Sequence, residues 1–468
     1  MLRLTLYWID THRWFIFAIF SCLLLANITP PQGLSENGMD VIAILVMSTI
    51  LLISAEVPLP TVPLLIASFQ VLFEVNTPKG VSQSFMSDSV FFIMGSLMLA
   101  VAIVHQKLDR RLAFWILRMA KGNIIRLSTG FILVCAFMSA FIGEHTVAAI
   151  MLPVAITIVN NIDQDQTKVR NISLLLMLSI AYGCAVASIG TPSGGARNAV
   201  MLDYWSRLYG IKISYLEWMK YAFPMLLIQI PIVAIVLRLT FKPENRNISG
   251  ALDKLRETVI AKGKMGYADW LTIFIFLLTL MLWVTSSDTL GLGIPAFIGA
   301  SLFLITGLVK WEDLNSGVNW GVVLLYASAI SLGVAMQKTG AASWVANLIF
   351  DGITMFNIGG GFVLLLIMAV TTMLVANIMS HGPAVAILGP IFLELAVITD
   401  TSLISAGFVI AIASSFTFMT VIGSPANSII YASNFVRPKD FLKAGWKMSI
   451  VSIIVLSLFS AAYWSLLS

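Results

Sequence analysis

Apolar residues run through this chain in long blocks, with polar residues clustered briefly between them. Blocks at 13–29, 40–55, 60–75, 89–106, 220–240, 268–287, 293–309, 320–337 and 446–467 read as helices. Several come close to the ~20 residues that a bilayer crossing requires. Four longer stretches are interrupted. Those at 128–159 and 358–398 pass through Gly, Ser or Asn halfway, and predict re-entrant helical hairpins. Those at 171–202 and 403–434 break near Gly190 and Gly423, and predict broken transmembrane helices. Non-helical backbone at that depth is tolerated only where it faces protein or a water-filled cavity. The pattern therefore predicts an all-α polytopic membrane protein.

The interrupted segments match in pairs. Gly143-Glu144-His145-Thr146 and Ser380-His381-Gly382-Pro383 each lead through small residues to a proline, Pro153 in one case and Pro390 in the other. Ile189-Gly190-Thr191-Pro192-Ser193 answers Ile422-Gly423-Ser424-Pro425-Ala426, with Gly190 read as the counterpart of Gly423. Ahead of the hairpins, Gln106-Lys107 answers Gln337-Lys338 at nearly the same offset. This predicts two inverted-topology repeats, 1–242 and 265–468, joined by a linker at 243–264. In the linker Ile248, Leu252, Leu255 and Val259 recur at helical spacing, as in an amphipathic helix on the cytoplasmic membrane surface. Interrupted hydrophobic segments in corresponding places of two halves point to a transporter's binding site.

Composition agrees: 59% of residues are hydrophobic and only 11% charged, with a mean hydropathy of +0.93. A soluble chain carries about twice that charge. The net charge of +5 is therefore no sign of nucleic acid. With the N-terminus in the cytoplasm, nineteen loop lysines and arginines fall inside and five (Lys79, Arg207, Lys212, Lys220, Lys338) outside, as the positive-inside rule expects. That count requires the first hairpin to enter from the cytoplasm and the second from outside, and it leaves the C-terminus outside. The apolar run after Arg13 lacks a small-residue cleavage site and reads as a first membrane helix. Cys22, Cys135 and Cys184 lie in apolar runs without metal-ligand spacing and read as small hydrophobes. With no phosphate loop, metal cluster or nucleophile constellation visible, the chain does not read as an enzyme.

The tips carry the chemistry. Unwound backbone frees N–H groups, and a helix starting there adds the positive end of its dipole, which favours an anion. The glycine-proline breaks free carbonyls for a cation. Ionisable residues inside a membrane face a site or a partner, which singles out Glu144, His145, Arg197 and His381. Glu144 and Arg197 read either as a structural ion pair or as ligand groups; the histidines read either as neutral caps or as substrate ligands.

These motifs, with Tyr267-Ala268-Asp269-Trp270, Trp311-Glu312-Asp313-Leu314 and Asp440-Phe441-Leu442-Lys443, give the chain a resemblance along nearly its whole length to the divalent anion/sodium symporter family of dicarboxylate, citrate and sulfate carriers. The resemblance implies a homodimer in a cell (inner) membrane, each protomer having a static scaffold and a transport domain that slides as an elevator. It implies no cofactor other than sodium. In that family each tip reads Ser-Asn-Thr; here the matching residues are Gly143, Glu144, His145 and Ser380, His381, Gly382, so only Ser380 keeps the family residue. With these positions the substrate would meet Gly143, Glu144, His145, Thr146, Ser380, His381, Gly382, Ser424 and Pro425, joined by Arg197, an intramembrane charge where the family has apolar or small residues. Sodium would meet Ser139, Gly190, Ala376, Met379, Ser380 and Gly423. Because Glu144 stands where the family has an asparagine, two expectations follow: it pairs with Arg197 in place of the first sodium, or it is itself a stronger sodium ligand. Ser380 with the carbonyls of Gly423 and Ser424 would hold a second cation. The function expected is cation-coupled transport or exchange of a small divalent anion. An inorganic oxyanion (sulfate-like) carrier, and a passive anion channel or binding protein on a transporter fold, are the alternatives.

Overall fold

The structure is a computed structural model and describes residues 12–106, 122–162, 168–245, 265–355 and 360–467. Among these the extended elements are all helices. The first half runs α1 (Arg13–Ala26), α2 (Glu36–Ser54), α3 (Thr61–Leu72), α4 (Pro78–Phe85), α5 (Asp88–His105), α6 (Ile124–Ile142), α7 (Glu144–Ile162), α8 (Arg170–Ala187), a 3-10 turn at Pro192–Gly194, α9 (Ala196–Tyr209) and α10 (Tyr215–Thr240). The second runs α11 (Tyr267–Leu290), α12 (Gly293–Ile305), α13 (Trp311–Gly317), α14 (Trp320–Lys338), α15 (Ala341–Thr354), α16 (Gly361–Met379), α17 (His381–Ile398), α18 (Leu403–Ala413), α19 (Pro425–Ala432) and α20 (Pro438–Ala462). Eleven segments among the described residues are long and apolar enough to cross a membrane. The expected linker helix falls largely on 246–264, outside the described residues.

Polar caps set many of the helix starts. Ser35, Thr77, Ser87 and Ser402 each accept a backbone N–H of the first turn through the side-chain hydroxyl, removing donors that the helix leaves unpaired. Asn123 does the same for α6, and Ser214 with Glu217 forms a capping box on α10. Three helices are absent from the sequence reading: α4, α13 and α15. The first two have eight and seven residues, too short to register as apolar blocks.

The core is the apolar α8, 89% of whose spanning window is buried, against 22% for α11 at the periphery. Helices in a membrane associate through close packing more than through the hydrophobic effect. Gly183 of α8 illustrates this: a Cβ there would lie 3.2 Å from the Ile132 backbone of α6. At Gly95 of α5 a Cβ would come 2.5 Å from that of Ala296 on α12. An aromatic cluster of Trp205, Trp218, Tyr221, Phe408 and Trp464 fastens α9, α10 and α18 together. Each indole N–H in it finds a carbonyl, on Leu403, Ile189 and Tyr221. Cys22, Cys135 and Cys184 are buried and free.

Candidate functional site

Both hairpins form, and each arm of the first, α6 and α7, has 19 residues, about 28 Å at 1.5 Å per residue. The arms exceed the expected 128–159 at both ends. The turns are alike: Gly143 has φ 84, ψ 146 and Ser380 has φ 78, ψ 153. Glycine enters that region freely and other residues almost never do. A serine held there marks a tip over-determined by its surroundings. The helices that follow, α7 and α17, begin at Glu144 and His381, so each tip presents a helix N-terminus.

The two tips meet. His381 Nε2 and Glu144 Oε1 are 2.5 Å apart, with both side chains buried. The His381 backbone N–H donates to Gly423 O in the second break at 3.2 Å. Gly382 lies against α14, where a Cβ would run into the Tyr326 hydroxyl oxygen.

The breaks are built from one device used twice. Asn198 Nδ2 donates to Ser188 O and Thr191 O, both at 2.8 Å. Asn427 Nδ2 donates to Thr417 O at 2.6 Å and Thr420 O at 2.8 Å. The Thr191 hydroxyl donates to Ala140 O, and the Thr420 hydroxyl to Asn377 O. Each threonine also accepts the N–H of a glycine further on, Gly194 or Gly423. Freed carbonyls buried in a membrane interior are costly unless paired, and the asparagines pair them.

This network corrects the register read from sequence. Asn198 is equivalent to Asn427, Thr191 to Thr420 and Gly194 to Gly423. The alignment of Gly190 with Gly423 is therefore displaced by about one helical turn. Gly190-Thr191-Pro192 and Gly423-Ser424-Pro425 look alike because each has a hydroxyl cap ahead of a proline, but they occupy different places in their breaks. The counterpart of Gly423 is thus Gly194, and that of Arg197 is Ala426. Gly190 faces α10 instead, where a Cβ would meet Leu226 at 2.7 Å.

Arg197 is fully buried. The expected Glu144–Arg197 ion pair does not form. As the second residue of α9, Arg197 directs its side chain back towards the break, and Nη2 donates to Ser188 Oγ at 2.5 Å and Ser415 Oγ at 2.6 Å. Its Nε and Nη1 have no hydrogen-bond partner, nor do Glu144 Oε2 and His381 Nδ1. The carboxylate has turned to His381 across the tips, while Arg197 and His145 remain within electrostatic range of it. Tyr326 completes the group, within electrostatic range of both Glu144 and Arg197.

The remaining expected residues sort clearly. His145 and Thr146 are half-buried beside the first tip. Ser424 caps α19 through the Asn427 N–H, with Pro425 in the first turn. Ala376 O accepts the Ser380 N–H, and Met379 is buried. Sequence reasoning misses Asn198, Asn427, Tyr326, Ser188 and Ser415. The available signal is the asparagine pair, each member following a Gly-(Thr/Ser)-Pro break by two to six residues.

For the sodium ions that the resemblance implies, the halves differ. In the first, Ser139 Oγ and Asn198 Oδ1 are buried and unpartnered, yet the Ser188 hydroxyl already carries a guanidinium, and a second cation nearby would be repelled. In the second, Thr417 Oγ1 and Asn427 Oδ1 are buried and unpartnered, on residues joined by the Asn427 Nδ2 to Thr417 O bond, and the counterpart of Arg197 is an alanine. The second half thus offers two unpartnered buried oxygens with no guanidinium beside them, whereas the first offers two beside Arg197.

Similarity to known proteins agrees with the architecture. The fold resembles two solved transporters: YdaH of Alcanivorax borkumensis (TM-score 0.56, 10% identity, covering 82% of this chain and 87% of that one) and MtrF of Neisseria gonorrhoeae, described among antimetabolite efflux pumps (TM-score 0.57, 10% identity, covering 97% and 94%). In sequence the chain is 26% identical to an uncharacterized transporter of Haemophilus influenzae, over 96% of each protein. It is 24% identical to the sodium-dependent dicarboxylate transporter SdcS of Staphylococcus saprophyticus, over 92% of this chain and 86% of that one. Residues 10–468 match the family of the sodium:sulfate symporter transmembrane region. A buried charged site between two helix N-termini, in a helical fold shared with transporters, thus has its sequence counterpart along the whole chain: this protein belongs to the sodium:sulfate symporter family.

Proposed function

We propose that this protein is a secondary transporter of a small divalent anion, a dicarboxylate by preference, and that it carries the anion between its two hairpin tips. The observation that carries this reading is Arg197: a fully buried guanidinium with Nε and Nη1 unpartnered. A buried cation left in that condition costs several kcal/mol, and an anion arriving between the N-termini of α7 and α17 would satisfy it. His381, His145 and the N–H groups of the tips would hold the far end of the same molecule, with Ser380, Gly143 and Gly382 letting the backbone approach closely.

Sodium dependence of the staphylococcal relatives supports cation coupling. A sodium ion in the second half would meet Thr417 and Asn427, and it would supply positive charge that offsets the dianion. We place the hairpins and broken helices in a moving domain and the other helices in a scaffold, working as an elevator in a homodimer. The membrane is the cytoplasmic one, with the N-terminus inside and the C-terminus outside. The family's description as sodium:sulfate symporters favours a sulfate-like oxyanion as the second reading.

Purified protein in proteoliposomes decides between these. An inward sodium gradient should drive labelled succinate above its equilibrium level, and internal unlabelled succinate should accelerate entry. Dissipative flux without such acceleration would indicate a channel. Sulfate competing more strongly than succinate would favour the oxyanion reading.

A further inference from the structure

The site holds a carboxylate of its own. Glu144 sits where an anion between the tips would sit, at the N-terminus of α7, one oxygen on His381 of the opposite tip at 2.5 Å and the other unpartnered. Within electrostatic range of it stand His145 on α7, His381 on α17, Arg197 on α9 and Tyr326 on α14. All are donors to an anion. A carboxylate in a ring of donors is what a bound dicarboxylate end would look like. Arg197, within electrostatic range of that carboxylate but not in an ion pair with it, keeps two nitrogens unused.

Resting on the transport reading above, we propose that Glu144 is a tethered stand-in for a substrate carboxylate: it bridges the tips in the empty carrier and is displaced from His381 when substrate binds. The arrangement gives the empty carrier an occupied site. Without an anion, Arg197 and both helix N-termini would present positive charge to one buried space, and the tips would spring apart. The tether keeps them together and so lets the unloaded protein close. Displacement also sets affinity, because substrate must outcompete a carboxylate of high local concentration.

The sign of one substitution separates this role from a direct one. If Glu144 competes with substrate, Glu144→Gln tightens binding; if Glu144 binds substrate or its coupling ion, the same change weakens it. The measurement is the shift in melting temperature of purified protein over a titration with succinate, and in parallel with sulfate, at fixed sodium and pH. We expect the half-saturating succinate concentration to fall at least tenfold in Glu144→Gln. In Glu144→Asp, which keeps the charge but shortens the reach to His381, it should fall by a smaller factor. The ligand-free melting temperature of both variants should drop, since the tip bridge is lost. Arg197→Gln in the Glu144→Gln background should abolish the gain. Unchanged or weaker binding in both Glu144 variants, with wild type responding, overturns the tether and leaves the transport reading intact. A wild-type protein that neither anion stabilises overturns both.

Discussion

Asn427→Ala tests how the second broken helix is held. The substitution removes two hydrogen bonds, to Thr417 O at 2.6 Å and Thr420 O at 2.8 Å; Asn427 and Thr417 are buried, while Thr420 is half-buried. Each orphaned carbonyl costs about 1–3 kcal/mol, so the pair costs roughly 2–6 kcal/mol, and because the Thr420 carbonyl is only part-buried the value falls below the middle of that range, at ~3 kcal/mol. Unfolding entropy of roughly 2.1 cal/mol/K per residue over 468 residues gives about 1 kcal/mol per kelvin. The expected fall in melting temperature is therefore about 3 °C. Asn427→Asp should fall further, because a carboxylate would face the same two carbonyls. Asn198→Ala, the same device in the first half, should cost a similar amount, and the double variant should be near additive because the clamps share no partner. The assay is differential scanning fluorimetry in detergent on the buried thiols, with Cys135 and Cys184 as reporters. A shift below about 1 °C for both single alanine variants, well under the value expected from entropy scaling, would refute the claim that these amides hold the breaks.

Three further outcomes follow from the tips. Ser380→Gly should raise the melting temperature, since it relieves a backbone conformation at φ 78, ψ 153 costing about 1–3 kcal/mol in a non-glycine residue; Gly143→Ala should lower it by a comparable amount. Gly382→Ala should weaken succinate binding, because its Cβ would collide with the Tyr326 hydroxyl oxygen, and Tyr326→Phe should restore part of the loss in the same titration. Replacing sodium by choline should lower the melting temperature of wild type, an effect that Asn427→Asp should alter and Asn198→Asp should leave nearly unchanged.

Much of the fold is legible because a membrane protein writes its helices as apolar blocks, and the hairpins announce themselves by Gly143 and Ser380 at equivalent places. The site is legible in its residue types but not in its pairing. Glu144, Arg197 and His381 stand out as ionisable groups in apolar runs, yet which of them touch depends on the direction each helix start gives its side chain. Arg197, second in α9, is aimed at Ser188 and Ser415; Glu144, first in α7, is aimed across the tips. The register of the second break is misleading in the sequence because hydroxyl residues at Thr420 and Ser424 lie within one turn's reach of each other, and only Ser424 precedes a proline. Only the asparagine clamps, which are three-dimensional, fix it. Helices α4 and α13 are invisible for a simpler reason: a helix of seven or eight residues buries too little to leave an apolar block.

The most direct test of the central claim is a cryo-electron microscopy map of the protein with saturating succinate. Density for the anion should lie between the N-termini of α7 and α17, with one carboxylate within about 3.5 Å of the Arg197 guanidinium and the other near His381, and Glu144 turned away from the ring it touches in the empty protein. Succinate found elsewhere, with Arg197 still bonded only to Ser188 and Ser415 and the Glu144–His381 bridge intact, would contradict the account.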